Sequence, residues 1–148
     1  MGDLAVITTS KSIDPQNDSN SLGIYLLWCG EEDCVKAFLT YCKIHGFRSP
    51  SDDCWAWTLL ADVICNYVGN ALSCGIDVCS HLNCDNGENG VYVIDGWDIV
   101  DHKYSQPSSY DDCSILEFLC EIDDRMPKHM QLGHDVILRR YDDLDATF

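Results

Sequence analysis

Between Pro50 and Gly75 the polar positions fall into one narrow helical stripe: Thr58, Asp62, Asn66, Asn70 and Ser73. Nearly everything else there is apolar, including Trp55, Trp57, Leu59, Leu60, Val63, Ile64, Tyr67, Val68, Ala71 and Leu72. A helix apolar around most of its girth is one that the rest of the fold wraps, so a buried central helix is expected over about 50–74. Ala61, Cys65, Gly69 and Ser73 form a second row, small at each fourth position, where another element can approach the backbone. Ser49 is placed to cap this helix, Pro50 to open its first turn, and Asp52 and Asp53 to sit at the positive end of its dipole. Gly75 offers a left-handed stop.

The remaining chain reads as short alternating elements. Leu4 to Ile7 is a short apolar run suited to an edge strand, and residues 10–21, with Asp14-Pro15, form a loop. Leu22 to Cys29 is continuously apolar and reads as a buried strand. Glu31, Glu32 and Asp33 then open a helix to about His45, with Val35, Phe38, Leu39 and Cys42 on its core face. Lys43 and His45 suit its negative end, and Gly46 ends it. Residues 77–90 are irregular and finish in the turn-rich CDNGENG. Val91 to Tyr104 reads as two strands around an Asp95-Gly96 turn. After a loop at 105–109, a third helix is expected from about Tyr110 to Arg125, burying Ile115, Leu116, Leu119 and Ile122 and broken by Pro127. Beyond Leu132 the spacing fits a strand at Val136-Ile137-Leu138. A helix through Leu132, Val136, Ile137, Tyr141 and Leu144 fits too, and the strand is the reading adopted. Without internal repeats or a boundary, 1–148 is one globular domain. Its class is α+β, a small, mostly antiparallel sheet packed with about three helices.

Composition narrows the picture. No run of about 18 apolar residues is present, so no membrane span is expected. The start MGDLAVITTSK lacks a basic region followed by a long apolar one, and position 6 is Val where a myristoylation pattern needs Ser or Thr. The expectation is a soluble protein of the cytoplasm. Ten cysteines lie mostly in apolar periodic segments, where reduced thiols act as small hydrophobes.

Charge changes the picture most. Twenty-five acids against nine Lys and Arg give a formal net charge of −16. Twenty of those acids are Asp, a residue suited to caps, turns and strand edges more than to helix interiors. Such a field repels nucleic acid and membranes and attracts basic surfaces.

Candidates for chemistry are few. Cys74, Cys79, His81 and Cys84 lie within eleven residues, but their spacing matches no common zinc pattern and the reading is no metal. Asp85 to Gly90 resembles a calcium loop, except that Gly87 and Gly96 occupy positions where ligands are needed. None of the GxSxG, HExxH, Walker or GxGxxG spacings occurs, so neither catalytic residues nor a cofactor is assigned. Asp98 and Asp101 are expected to face opposite sides of their strand.

What stands out is the acidic surface from Asp95 to Asp124. It comprises Asp95, Asp98, Asp101, Asp111, Asp112, Glu117, Glu121, Asp123 and Asp124, with Trp97 and Tyr104 as aromatic anchors beside them. In size, sign of charge and lack of catalytic motif the chain resembles the class of phage or mobile-element anti-defence proteins, anti-CRISPR and anti-restriction DNA mimics. That resemblance implies a non-enzymatic inhibitor in a bacterial cytoplasm. It would bind a basic nucleic-acid-handling protein (a CRISPR effector, restriction enzyme or toxin) and block its nucleic-acid site. A bacterial immunity protein that neutralises a basic toxin, and a cysteine-rich zinc module, are the alternatives.

Overall fold

The computed structural model describes residues 4–50, 54–70, 72–105 and 114–146. In chain order the elements are β1 (Ala5–Thr8), β2 (Leu22–Leu26), α1 (Glu32–His45), α2 (Cys54–Val68), β3 (Cys74–Val78), β4 (Val91–Asp95), β5 (Asp98–Lys103), α3 (Ile115–Arg125) and α4 (His134–Ala146). The five strands make one sheet in the order β3-β2-β1-β4-β5. β1 and β4 run parallel, and every other neighbouring pair is antiparallel. The class is α+β, with four α-helices among the described residues where about three are expected.

Strand periodicity divides the core between the two faces of the sheet. Ala5 and Ile7 of β1, Ile24 and Leu26 of β2, and Tyr92 and Ile94 of β4 pack under the helices. Val6, Tyr25 and Val91 point the other way, onto Cys79, Leu82 and Cys84 of the connection between β3 and β4. α1 and α2 lie on the helical face, and α3 and α4 pack against them as an outer layer. Helix α1 follows its local signals closely. Glu32 and Asp33 occupy its first turn, Val35, Phe38, Leu39 and Cys42 are buried, and Gly46 closes it in the left-handed conformation.

Four elements depart from the sequence reading. β1 is the central strand and not an edge: all four of its residues are buried, because β2 pairs on one side and β4 on the other. β2 stops at Leu26, leaving Leu27 and Trp28 exposed. The central helix is shorter than 50–74. Gly69, at φ 83°, ends it by donating to the Cys65 carbonyl, and Gly75 lies inside edge strand β3. A Cβ built on Gly69 would meet nothing within 4 Å, whereas Ala61 and Cys65 of the small row meet Cys74 of β3. α2 buries one face (Ala56, Trp57, Leu60, Val63 and Ile64) while Trp55 on its first turn is 70% exposed. Residues 134–146 form a helix and not a strand, with Ile137 fully buried beneath it. The dipole positions of Asp52 and Asp53, and the start of the third helix at Tyr110, lie outside the described residues.

Candidate partner-binding surface

The expected acidic surface is carried by the β4–β5 hairpin and α3. In the hairpin, Asp95 and Asp98 are paired across a two-residue turn of Gly96 and Trp97. Trp97 does not stay at the surface. It is 7% exposed, and its Nε1 donates to the Phe47 carbonyl at 2.9 Å, so it belongs to the core and drops out as a contact anchor.

A β-bulge lies between the two strand acids, where Ile94 pairs with Ile99 and Val93 with Asp101, so strict alternation along β5 is interrupted and their partners differ. Asp98 reaches the helical face, where Lys43 of α1 meets it at 3.1 Å. Asp101 pairs with Lys103 at 3.7 Å. The Lys103 ammonium also donates to the Ser12 and Ile13 carbonyls, which straps the 10–21 loop across the sheet. Tyr104, at φ 60°, donates its hydroxyl to the Asp14 carboxyl. That bond, with burial second, pushes the Tyr104 hydroxyl up to about 12. It is 37% exposed and lies against the loop.

Helix α3 splits its acids by turning about 100° per residue. Glu117, Glu121 and Asp124 are exposed along one edge. Their i, i+4, i+7 spacing places three carboxyl groups in a row about 10 Å long. Glu121 pairs with Arg125 at 3.0 Å, and the Arg125 guanidinium lies 4.2 Å above the Tyr67 ring. Asp124 meets His134 of α4 at 2.7 Å. Asp123, the next residue, is turned inward and 1% exposed. Its carboxyl accepts from the Tyr41 hydroxyl and from the Leu132 and Gly133 backbone amides, so it is a structural residue and leaves the binding set. Asp111 and Asp112 lie outside the described residues. On α4, Asp135, Asp142 and Asp143 add further exposed acids.

The thiol cluster is divided by the sheet. Cys74 faces α2, with its Sγ 3.3 Å from that of Cys65. Cys79 and Cys84 lie on the opposite face, both fully buried, with sulfurs 3.8 Å apart. The Cys84 thiol's hydrogen bond pulls Cys79 down to about 7, and the same contact, with burial, pushes Cys84 up. Burial pushes Cys74 up to about 12. His81 is exposed and pairs with Asp77 at 3.1 Å. Among the described residues, no three His, Cys, Asp or Glu side chains are gathered to hold a metal ion.

Residues 85–90 are ordered by their own side chains. Asn86 Oδ1 accepts from the Glu88 and Gly90 amides, and Glu88 accepts from the Leu4 amide at 2.6 Å. The packing of α4 on α3 departs from the strand expected at 136–138. The alternative helical spacing of Leu132, Val136, Ile137, Tyr141 and Leu144 is the signal that carries it. No protein-family model, curated protein or solved structure matches the chain. No helix among the described residues is long and apolar enough to cross a membrane.

Proposed function

We propose that this protein is a non-enzymatic acidic inhibitor that binds a basic nucleic-acid-handling protein and blocks its nucleic-acid site. The observation that carries this reading is the net charge of −16 together with the exposed row Glu117, Glu121 and Asp124. Asp123 is buried among structural partners, whereas Glu117 is exposed and Glu121 and Asp124 make only surface contacts, with Arg125 and His134. Asp98 and Asp101 have different partners, Lys43 on α1 and Lys103 on their own strand. The ion pairs Lys43–Asp98 and Glu121–Arg125 are surface pairs worth about 0–1 kcal/mol, and a cationic groove on a partner can displace them at small cost.

A competition assay tests the proposal. Basic DNA-binding proteins, a guide-loaded CRISPR effector and a restriction enzyme among them, are held on labelled duplex while the acidic protein is titrated in. Release of the duplex from at least one of them is expected, with an affinity that falls steeply as salt rises. Reversing Asp98, Glu117 and Asp124 to Lys should abolish release while leaving the circular dichroism spectrum unchanged. Release that is indifferent to both salt and charge reversal, or no release from any basic protein tried, overturns the proposal.

A further inference from the structure

Helices α3 and α4 form an antiparallel pair, joined by residues 126–133 and pinned at that end by the contact of Asp124 with His134. Along their outer surface runs an open groove of about 400 Å³. Leu116 and Cys120 of α3 and Leu138 of α4 make its floor. Leu138 is 42% exposed, although Ile137 beside it is fully buried, so α4 turns one large apolar side chain to the core and the next to solvent. Glu117, Glu121 and Asp124 line the α3 side of the same groove.

The geometry points to this groove as the docking site for an amphipathic basic helix of the partner, one large apolar side chain seated between Leu116, Cys120 and Leu138 and Lys or Arg residues meeting the α3 acids. The inference rests on the inhibitor reading for the sign of the partner's charge and adds where and how that partner is held. Three considerations select the occupant. The apolar lining is shared by two helices, Leu116 and Cys120 one turn apart on α3 and Leu138 on α4, an arrangement that suits a helix presenting anchors spaced by three and four residues. The bordering carboxyl groups repel phosphate and anionic lipid and attract cations, which excludes nucleic acid and an anionic membrane surface. A second copy of this chain would bring another −16 charges to the same place, so self-association is opposed. The volume accepts one or two side chains. Charge therefore supplies encounter and orientation, while the anchor supplies residence.

The probe is a synthetic helical peptide with leucine on one face and lysine and arginine on the other, compared with a scrambled peptide of the same composition. Amide chemical shifts of the isotope-labelled protein should change around Leu116, Cys120 and Leu138 with the first peptide and much less with the second. Leu138→Arg should weaken binding by ~10- to 100-fold, the loss of one buried leucine contact, with the thermal midpoint nearly unchanged. If that variant unfolds, the shift map on the unaltered protein decides alone. Shifts centred elsewhere, equal binding of the scrambled peptide, or a dimer in sedimentation that Leu138→Arg dissolves each overturn the inference. A basic protein that releases its DNA equally well to the Leu138→Arg variant overturns the groove but leaves the inhibitor reading standing. Peptide binding without release from any basic protein does the reverse.

Discussion

The Tyr41 hydroxyl donates to Asp123 Oδ1 at 2.6 Å, between α1 and α3, with both side chains closed off from solvent. The same carboxyl receives the Leu132 amide at 2.8 Å and the Gly133 amide at 3.0 Å, so one side chain joins α1, α3 and the entry to α4. Burial, and then the contact with Asp123, push the Tyr41 hydroxyl well above its ordinary range. Tyr41→Phe leaves Asp123 with its two amide donors and should cost ~1–2 kcal/mol in urea unfolding. Asp123→Ala orphans the Tyr41 hydroxyl and two amides together and should cost ~3 kcal/mol or more. Equal and small losses for the two variants would show that the junction is not shared in this way.

Gly90 sits at φ 67°, and a Cβ built on it would lie 2.1 Å from the Lys103 carbonyl oxygen. Both the left-handed backbone and the contact with β5 exclude a side chain there. Gly90→Ala should destabilise by ~3 kcal/mol or more, from strain plus displacement of the β5 end. Gly69, also left-handed but open on all sides, should tolerate alanine at ~1 kcal/mol. Chemical denaturation of the two variants gives the comparison, and a similar loss at both sites would contradict it.

Burial, followed by the nearby Glu121 charge, raises the Tyr67 hydroxyl from its ordinary 10.0 to about 12, against a smaller lowering by Arg125. The folded protein keeps this proton longer than the unfolded chain does. Stability from this group is therefore complete below pH 10 and declines as pH rises through the interval from 10 to 12. Tyr67→Phe should flatten part of the alkaline loss of stability while keeping the Arg125 stacking, since Phe also offers a ring face. Thermal midpoints measured across that interval read the effect. An unaltered alkaline slope in the variant would refute the assignment.

Thiol reactivity should follow exposure. Cys54 is exposed, whereas Cys42, Cys79 and Cys84 are buried, and burial pushes the Cys42 thiol up as well. An alkylating reagent at neutral pH should modify Cys54 in the folded protein and reach the other three only as the fold opens. Peptide mass mapping of timed samples distinguishes them. Cys79 labelling as fast as Cys54 would mean that the β3–β4 connection does not cover it.

Signals confined to a few residues were legible in the sequence. The Glu31 to Asp33 acids, the apolar face through Cys42 and the Gly46 stop outline α1 without help from the rest of the fold. The hairpin around Asp95 to Asp98 was legible for the same reason, whereas the bulge that interrupts alternation between Asp98 and Asp101 was not. The central place of β1 is not legible locally, because a short apolar run looks alike at an edge and at a centre and its parallel partner lies near residue 91. Val136-Ile137-Leu138 has strand-like side chains, and their helical state comes from packing against α3. Gly75 suits a helix stop by its local sequence, but the pairing of Cys74 to Val78 with β2 places it in a strand, and Gly69 ends the helix. At the surface, sign and amount of charge were readable. Direction was not: Asp123 and Asp124 are adjacent and chemically identical, yet one serves the interior and the other faces solvent.

The parallel pairing of β1 with β4 has a consequence for how the chain is made. The Leu4 amide and the Glu88 carboxyl, which close the end of that pairing, are 84 residues apart in sequence. During synthesis β1 must wait for β4, with at most β2 beside it and one sticky flank available to chaperones or to other nascent chains. Production of this protein is thus expected to be limited by the interval before that flank is covered, a vulnerability that cooler, slower expression relieves.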